Sequence, residues 1–306
     1  MIRNIGPSAE RFLVDLGRIH DAAERAQREI SSGVRVASSV DAPDQISGIL
    51  QLRASIERNV QIRANLSRIK SEVDTAESAI ELAVRITERA RVLASQGAGT
   101  TETQQTRAIL AEEARGLLEQ LVEASRTRVE QRYIFSGDRG QEPPYQIDPS
   151  APNGVIRNFA MRASREVEHP TGPPFTVGKT AEEIFDRRNP DDTIASENVF
   201  AAVNGLGAAL ENNDQAGIES SLASLRAAGD YLNIQLSFYG NVQRKIAEGG
   251  DTAARLESRL KVELSVSRDA DLTASILDLQ QAATHKQAAL SARANLPATS
   301  LFDFLD

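Results

Sequence analysis

Apolar residues recur along this chain with a helical period, and they do so in two separated blocks. Near the start, Phe12, Leu16, Ile19, Ala23, Ala26 and Ile30 step by alternating fours and threes, which draws one narrow apolar stripe along a helix over about 8–32. Gly33 and Pro43 bracket a polar run. The glycine suits a left-handed helix cap and the proline lacks an amide hydrogen, so 33–45 is expected to be a hinge between rods. Asp41, Asp44 and Ser47 stand where an oxygen can accept from the free amides of the next helix.

That next helix is expected over 46–95. Leu66, Ile69, Val73, Ala76, Ile80, Ala83, Thr87, Ala90 and Ala94 hold a three-four spacing, a seam that calls for a coiled-coil partner. About fifty residues of helix extend roughly 75 Å, so the partner must be long as well. Arg85, Glu88, Arg89 and Arg91 fall mostly off the seam and read as a solvated face. Gln96–Thr103 carries two glycines and ends in a threonine cap, a tight reversal. Beyond it Leu110, Ala114, Leu117, Leu121 and Ala124 renew the spacing in an antiparallel helix to about Gln131.

The pattern then changes. Eight of the eleven prolines lie between Asp138 and Pro190, with glycines at 140, 154, 172 and 178. Tyr145–Ile147, Val155–Met161 and Phe175–Val177 read as strands, with Asn153-Gly154 as a turn signal. Helical spacing returns at Ser196, with short helices expected at about 197–211 and 215–229 and then a long one. Its seam is Leu232, Leu236, Tyr239, Ile246, Ala253, Leu256, Leu260 and Leu264, loosened or bent at Gly249-Gly250. It is the expected partner of the 46–95 helix. A last helix over about 270–295 puts Leu272, Ile276, Leu279, Ala283 and Leu290 on one face, and Pro297 is expected to stop it before the tail Leu301–Leu305.

The fold class expected is mainly α: long antiparallel helical rods, a coiled-coil-like bundle of N- and C-terminal helices, with a small β-rich insertion. The division expected is 1–45, a terminal helix and hinge for assembly; 46–137, a helical hairpin; 138–195, the insertion; 196–265, returning helices; and 266–306, a C-terminal assembly helix.

Composition narrows the function. Of 306 residues, 41% are apolar and only 4% aromatic, with no Trp, which suits close-packed helices of Leu, Ile, Val and Ala. The net charge of −8 comes without a basic cluster and argues against a nucleic-acid partner. Without cysteine there is no disulfide, thiolate metal site or thiol nucleophile. No run of 18 apolar residues suggests a membrane span, and the N-terminus lacks the apolar core of a secretory signal. His20, His169 and His285 are the only histidines, and none has a second metal-ligand type at usable spacing. Glu112-Glu113 and Asp191-Asp192 lie at expected helix starts or on polar faces. No serine sits in a glycine elbow beside a base. No catalytic, cofactor or metal residue is therefore assigned.

ISSGVRVASSVDAP, at 30–43, resembles the signature of the flagellin superfamily, and the resemblance takes in roughly 1–140 and 195–306. YIFSG at 133–137 is similar to a run in the hook-associated, hook-filament junction members of that superfamily, where filament flagellins carry F-N-G. The segment beginning RDADLTASIL is similar to the superfamily's C-terminal region. The resemblance implies an exported, extracellular structural subunit of the bacterial flagellum, leaving by the type III channel without a cleaved signal peptide. Its implied partners are copies of itself, a neighbouring hook-associated protein, flagellin and an export chaperone. Assembly packing is expected at Phe12, Leu16, Ile19, Ile30, Leu66, Ile69, Val73, Ile80, Leu272, Ile276, Leu279 and Leu290. Filament flagellin and an intracellular coiled-coil adaptor are the alternatives.

Overall fold

The computed structural model describes residues 7–38, 41–99, 102–162 and 165–294. Pro297 and the tail 301–305 lie outside them. The helices are α1 Pro7–Ser32, α2 Ile46–Gly97, α3 Gln104–Ser125, α4 Ala181–Ile184, α5 Val199–Glu211, α6 Gln215–Arg268 and α7 Leu272–Ala294. The strands are β1 Arg128–Val129, β2 Arg132–Tyr133, β3 Tyr145–Ile147, β4 Val155–Arg157, β5 Glu166–Val167 and β6 Phe175–Thr176. They pair as three separate antiparallel two-stranded sheets, β1 with β2, β3 with β4 and β5 with β6. The fold is mainly α with a small β-containing region.

The chain divides into two compact units, 59–255 and the combined ends 1–58 with 256–306. In the first, every residue of the Leu66-to-Ala94 seam is buried. Thr87, its one polar member, satisfies its hydroxyl on the Ala83 carbonyl at 2.8 Å. Asn59 reaches the Ala253 carbonyl at 2.7 Å, and Gln243 donates to Asp74 at 2.9 Å and Glu77 at 2.5 Å. These residues climb α2 as they descend α6, so the two run antiparallel, as the seams predict. Arg89 pairs with Glu113 of α3 at 2.6 Å. Thr103 caps α3 by accepting from the Thr106 amide at 3.2 Å, and Arg107 ties the reversal to Gly97 O at 2.9 Å. Arg85 and Arg91 pair with glutamates along their own exposed helix face, at Glu81 and Glu88.

Two expectations are corrected. First, α3 ends at Ser125, not near Gln131, because Glu130 and Gln131 take positive φ of 48° and 65° and turn the chain into the β1–β2 hairpin. Second, α6 is one helix from Gln215 to Arg268, with no break near 229. Gly249 gives clearance: a Cβ there would sit 3.2 Å from Leu66 Cδ1 and 3.4 Å from His169 Cδ2. Its missing side chain lets α2 and the segment before β6 approach. Asn153-Gly154 marks a hairpin as expected: it lies in the loop that joins the antiparallel β3 and β4, with Gly154 at φ +75°.

In the unit built from the chain ends, 33–38 is tied by hydrogen bonds to 267–270 rather than left as an open hinge. Gly33, at φ +70°, closes α1, and its carbonyl accepts from Ala270 N at 3.0 Å. Val34 bridges Asp269, and the Arg35 and Val36 amides share Arg268 O at 2.8 and 3.1 Å. Arg35 reaches Gln45 at 3.0 Å and Ser267 O at 2.9 Å. Asp41 accepts from the Ala37 and Ser38 amides at 3.0 and 2.8 Å, so it closes its own turn rather than capping α2. Val36, Ala42 and Ile49 are buried beneath this crossing, with Ile46 and Leu264 packed on them.

Candidate assembly surfaces

The paired helices at the chain ends leave several large apolar side chains exposed. α1 and α7 lie antiparallel. Ala26 is buried on α1, Ser275 and Ala282 on α7. Ser275 Oγ is 2.8 Å from Glu29 Oε2, and the Arg293 guanidinium lies 5.8 Å from the Phe12 ring centre. Small residues meet here, so the pair buries little area per turn. Phe12, Leu16, Ile19 and Ile30 are half-buried, and the α1 stripe is as expected.

The face that α7 turns to α1, at Ser275 and Ala282, lies about a residue from the Leu272, Ile276 and Leu290 stripe. Leu279 is half-buried, whereas Leu272, Ile276 and Leu290 stay exposed at 48%, 45% and 48%. Leu13, Val14 and Leu277 are also more than half exposed. Full burial of one such side chain is worth about 1.5–3 kcal/mol, so a partner covering several of them gains substantial binding energy. Beside them, Arg18, Arg25, Glu29, Asp278 and His285 line a groove along the two helices. His20 pairs with Glu24 on its own helix at 3.2 Å.

Leu66, Ile69, Val73 and Ile80 pack inside the chain, as their seam predicts: all four are buried in the core of 59–255. Within one chain they hold helices together and are covered.

The insertion is anchored by residues that the sequence reading did not single out. Asp186 is fully buried. Its Oδ2 accepts from the Tyr145 hydroxyl and from Arg188, both at 3.0 Å, and its Oδ1 from Asn153 at 2.9 Å and Asn198 at 2.7 Å. Burial first, then the Asp186 charge, pushes the Tyr145 hydroxyl far above its usual range. With both oxygens engaged, Asp186 is a structural acceptor rather than a free base. YIFSG meets the insertion directly: Phe135 O accepts from Ala181 N at 2.8 Å, and the Phe135 ring sits edge-on to Phe185 at 5.6 Å. Gly137, at φ +61°, has no room for a Cβ, which would fall 2.6 Å from Arg162 O.

Among the described residues no group of His, Asp and Glu is placed to hold a metal ion. No described helix is long and apolar enough to cross a membrane.

Residues 9–139 match the family model of the bacterial flagellin N-terminal helical region. Among curated proteins none matches the chain. Among solved structures, a putative flagellar hook-associated protein from Vibrio parahaemolyticus is 17% identical, with a TM-score of 0.63 over 74% of this chain and 99% of that one. Flagellar hook-associated protein-3 from Legionella pneumophila is 15% identical, with a TM-score of 0.62 over 71% of this chain and 98% of that one. FlgL from Xanthomonas campestris is 16% identical, with a TM-score of 0.57 over 71% and 99%. At these identities the likeness is one of fold. Over 9–139 the chain is thus similar to the flagellin N-terminal helical region, and its fold is like that of these flagellar hook-associated proteins.

Proposed function

We propose that the chain is a structural subunit of the bacterial flagellum, of the hook-associated protein 3 kind, that joins hook to filament by helix packing and performs no chemistry. The observation that carries this reading is the coincidence of the flagellin N-terminal match at 9–139 with a paired α1–α7 end that leaves Leu13, Val14, Ile276 and Leu290 uncovered. A chain that works alone has no use for that surface; one that is stacked among copies and neighbours covers it. In this reading 1–45 and 266–306 are the assembly region. The partners are further copies, an adjoining hook-associated protein and flagellin, reached outside the cell after export with a chaperone. Phe12, Leu16, Ile19, Ile30, Leu272, Ile276, Leu279 and Leu290 pack in the assembly, while Leu66, Ile69, Val73 and Ile80 stiffen the subunit.

Filament flagellin is the second reading, favoured by the family model itself, which is that of flagellins. Gold-labelled antibody and electron microscopy on flagellated cells separate the two. One band at the end of the hook is expected; label along the whole filament indicates a flagellin, and label confined to the cell interior sinks both.

A further inference from the structure

Asn59 stands where an apolar residue is expected. Counting along α2, the residues turned toward α6 are Leu52, Ile56, Asn59, Ile62, Leu66, Ile69 and Val73, and Asn59 is only 3% exposed among them. Its Nδ2 donates to the Ala253 carbonyl at 2.7 Å, a backbone oxygen already engaged in the α6 ladder. Its Oδ1 is buried with no hydrogen-bond partner among the described residues. An amide held this way is a poor choice for stability alone, because its buried acceptor goes unused.

The seam supplies a reason for it. Two helices joined by apolar residues at three-four spacing look nearly the same after a slide of seven residues, so apolar burial specifies register weakly. Ala253 and Gly249 of α6 lie against Asn59 and Leu66 of α2, and the apolar spacing of α6 runs through Ile246, Ala253 and Leu260. Asn59 reaches a main-chain oxygen because the residue opposite is alanine. A slide of one heptad brings Ile246 or Leu260 opposite, whose branched side chains cover the backbone and leave both ends of the amide buried and unpaired. We propose that Asn59 is a register lock: it penalises slid pairings of α2 and α6 at the edge of the core, where Ile62 is the outermost member of the buried cluster on α2. The device trades some stability for one alignment, as a lone polar residue does in a coiled-coil seam.

The chain has no cysteine, so spin labels on Val60→Cys and Ala254→Cys, both at exposed positions flanking the contact, report the local alignment of the full-length protein by pulsed electron resonance. With Asn59 one narrow distance is expected. In Asn59→Leu, and in Asn59→Ala, which cannot overcrowd the seam, the population away from that distance should rise at least about tenfold. That is the change expected when a discrimination of about 1.4 kcal/mol is lost. Circular dichroism should show the helices retained and the urea midpoint of Asn59→Leu unchanged or raised. If both variants stay helical and keep the single native distance, Asn59 does not set the register.

Discussion

Asp186 shows how much one side chain can hold when every lone pair is used. It collects donors from the strand at Tyr145, the loop at Asn153, the start of α5 at Asn198, and neighbouring Arg188. Three segments of the insertion meet α5 through this carboxylate. Asp186→Ala leaves four donors without their acceptor inside the protein, a loss expected to cost about 3–5 kcal/mol. Asp186→Asn, which still accepts through one oxygen but turns an amide toward Arg188 or the asparagines, should cost less. The urea midpoint with near-ultraviolet dichroism checks this; an alanine variant with an unchanged midpoint refutes the account. Little in the sequence around Asp186 announces its role, since three of its four partners stand 41, 33 and 12 residues away. The tight seat of Gly137 against Arg162 O was not legible either, because it is made by a contact 25 residues along the chain.

Among elements, the crossing at 33–41 and 268–270 depends on carboxylates that titrate at low pH. Accepting from the Ser38 amide first, and then from its hydroxyl, lowers Asp41 from the usual 3.8. The Arg268 side chain, followed by Ser265, lowers Asp269 likewise. A carboxylate lowered in the folded state adds stability that is present above its unfolded value and lost as pH falls through the folded one. The Ala37 and Ser38 amides should therefore keep their exchange protection above about pH 4 and lose it progressively below. Asp41→Asn should remove the Asp41 part of that pH dependence, and protection unchanged down to about pH 3 in the unsubstituted chain refutes the account. The helices themselves were readable because burial repeats every three or four residues: the whole Leu66-to-Ala94 seam is buried as expected. The ends and joints were not. Ser125 stops α3 because of a positive-φ turn at Glu130 and Gln131. Gly249-Gly250 stays helical because tertiary contacts with Leu66 and His169 override weak propensity.

For the molecule as a whole, the energy of folding is concentrated away from the chain ends. The main buried cluster runs from Ile62 to Ile246 in sequence and lies wholly within 59–255. The ends hold a small cluster of Val36, Ala42 and Ile49, and the α1–α7 contact buries mainly Ala26, Ser275 and Ala282. The apolar stripe on α1 was visible in the sequence, but on α7 the periodicity left two nearly adjacent faces to choose between, and alanine and serine rather than leucine line the one against α1. Ordering a residue costs about 1–2 kcal/mol of backbone entropy, and small side chains return little of it. A truncation spanning 59–255 should therefore fold cooperatively by itself, with a urea midpoint near that of the full chain, and fail to enter flagella. Full-length monomer in dilute solution should lose α1 and α7 to limited proteolysis before anything in 59–255 is cut. Dichroism, proteolysis mapped by mass spectrometry, and incorporation into flagella of cells lacking the native chain test all three points. Terminal helices that resist protease in the monomer, or a 59–255 fragment that is unfolded or still incorporates, would show that the ends stabilise the subunit rather than await its neighbours.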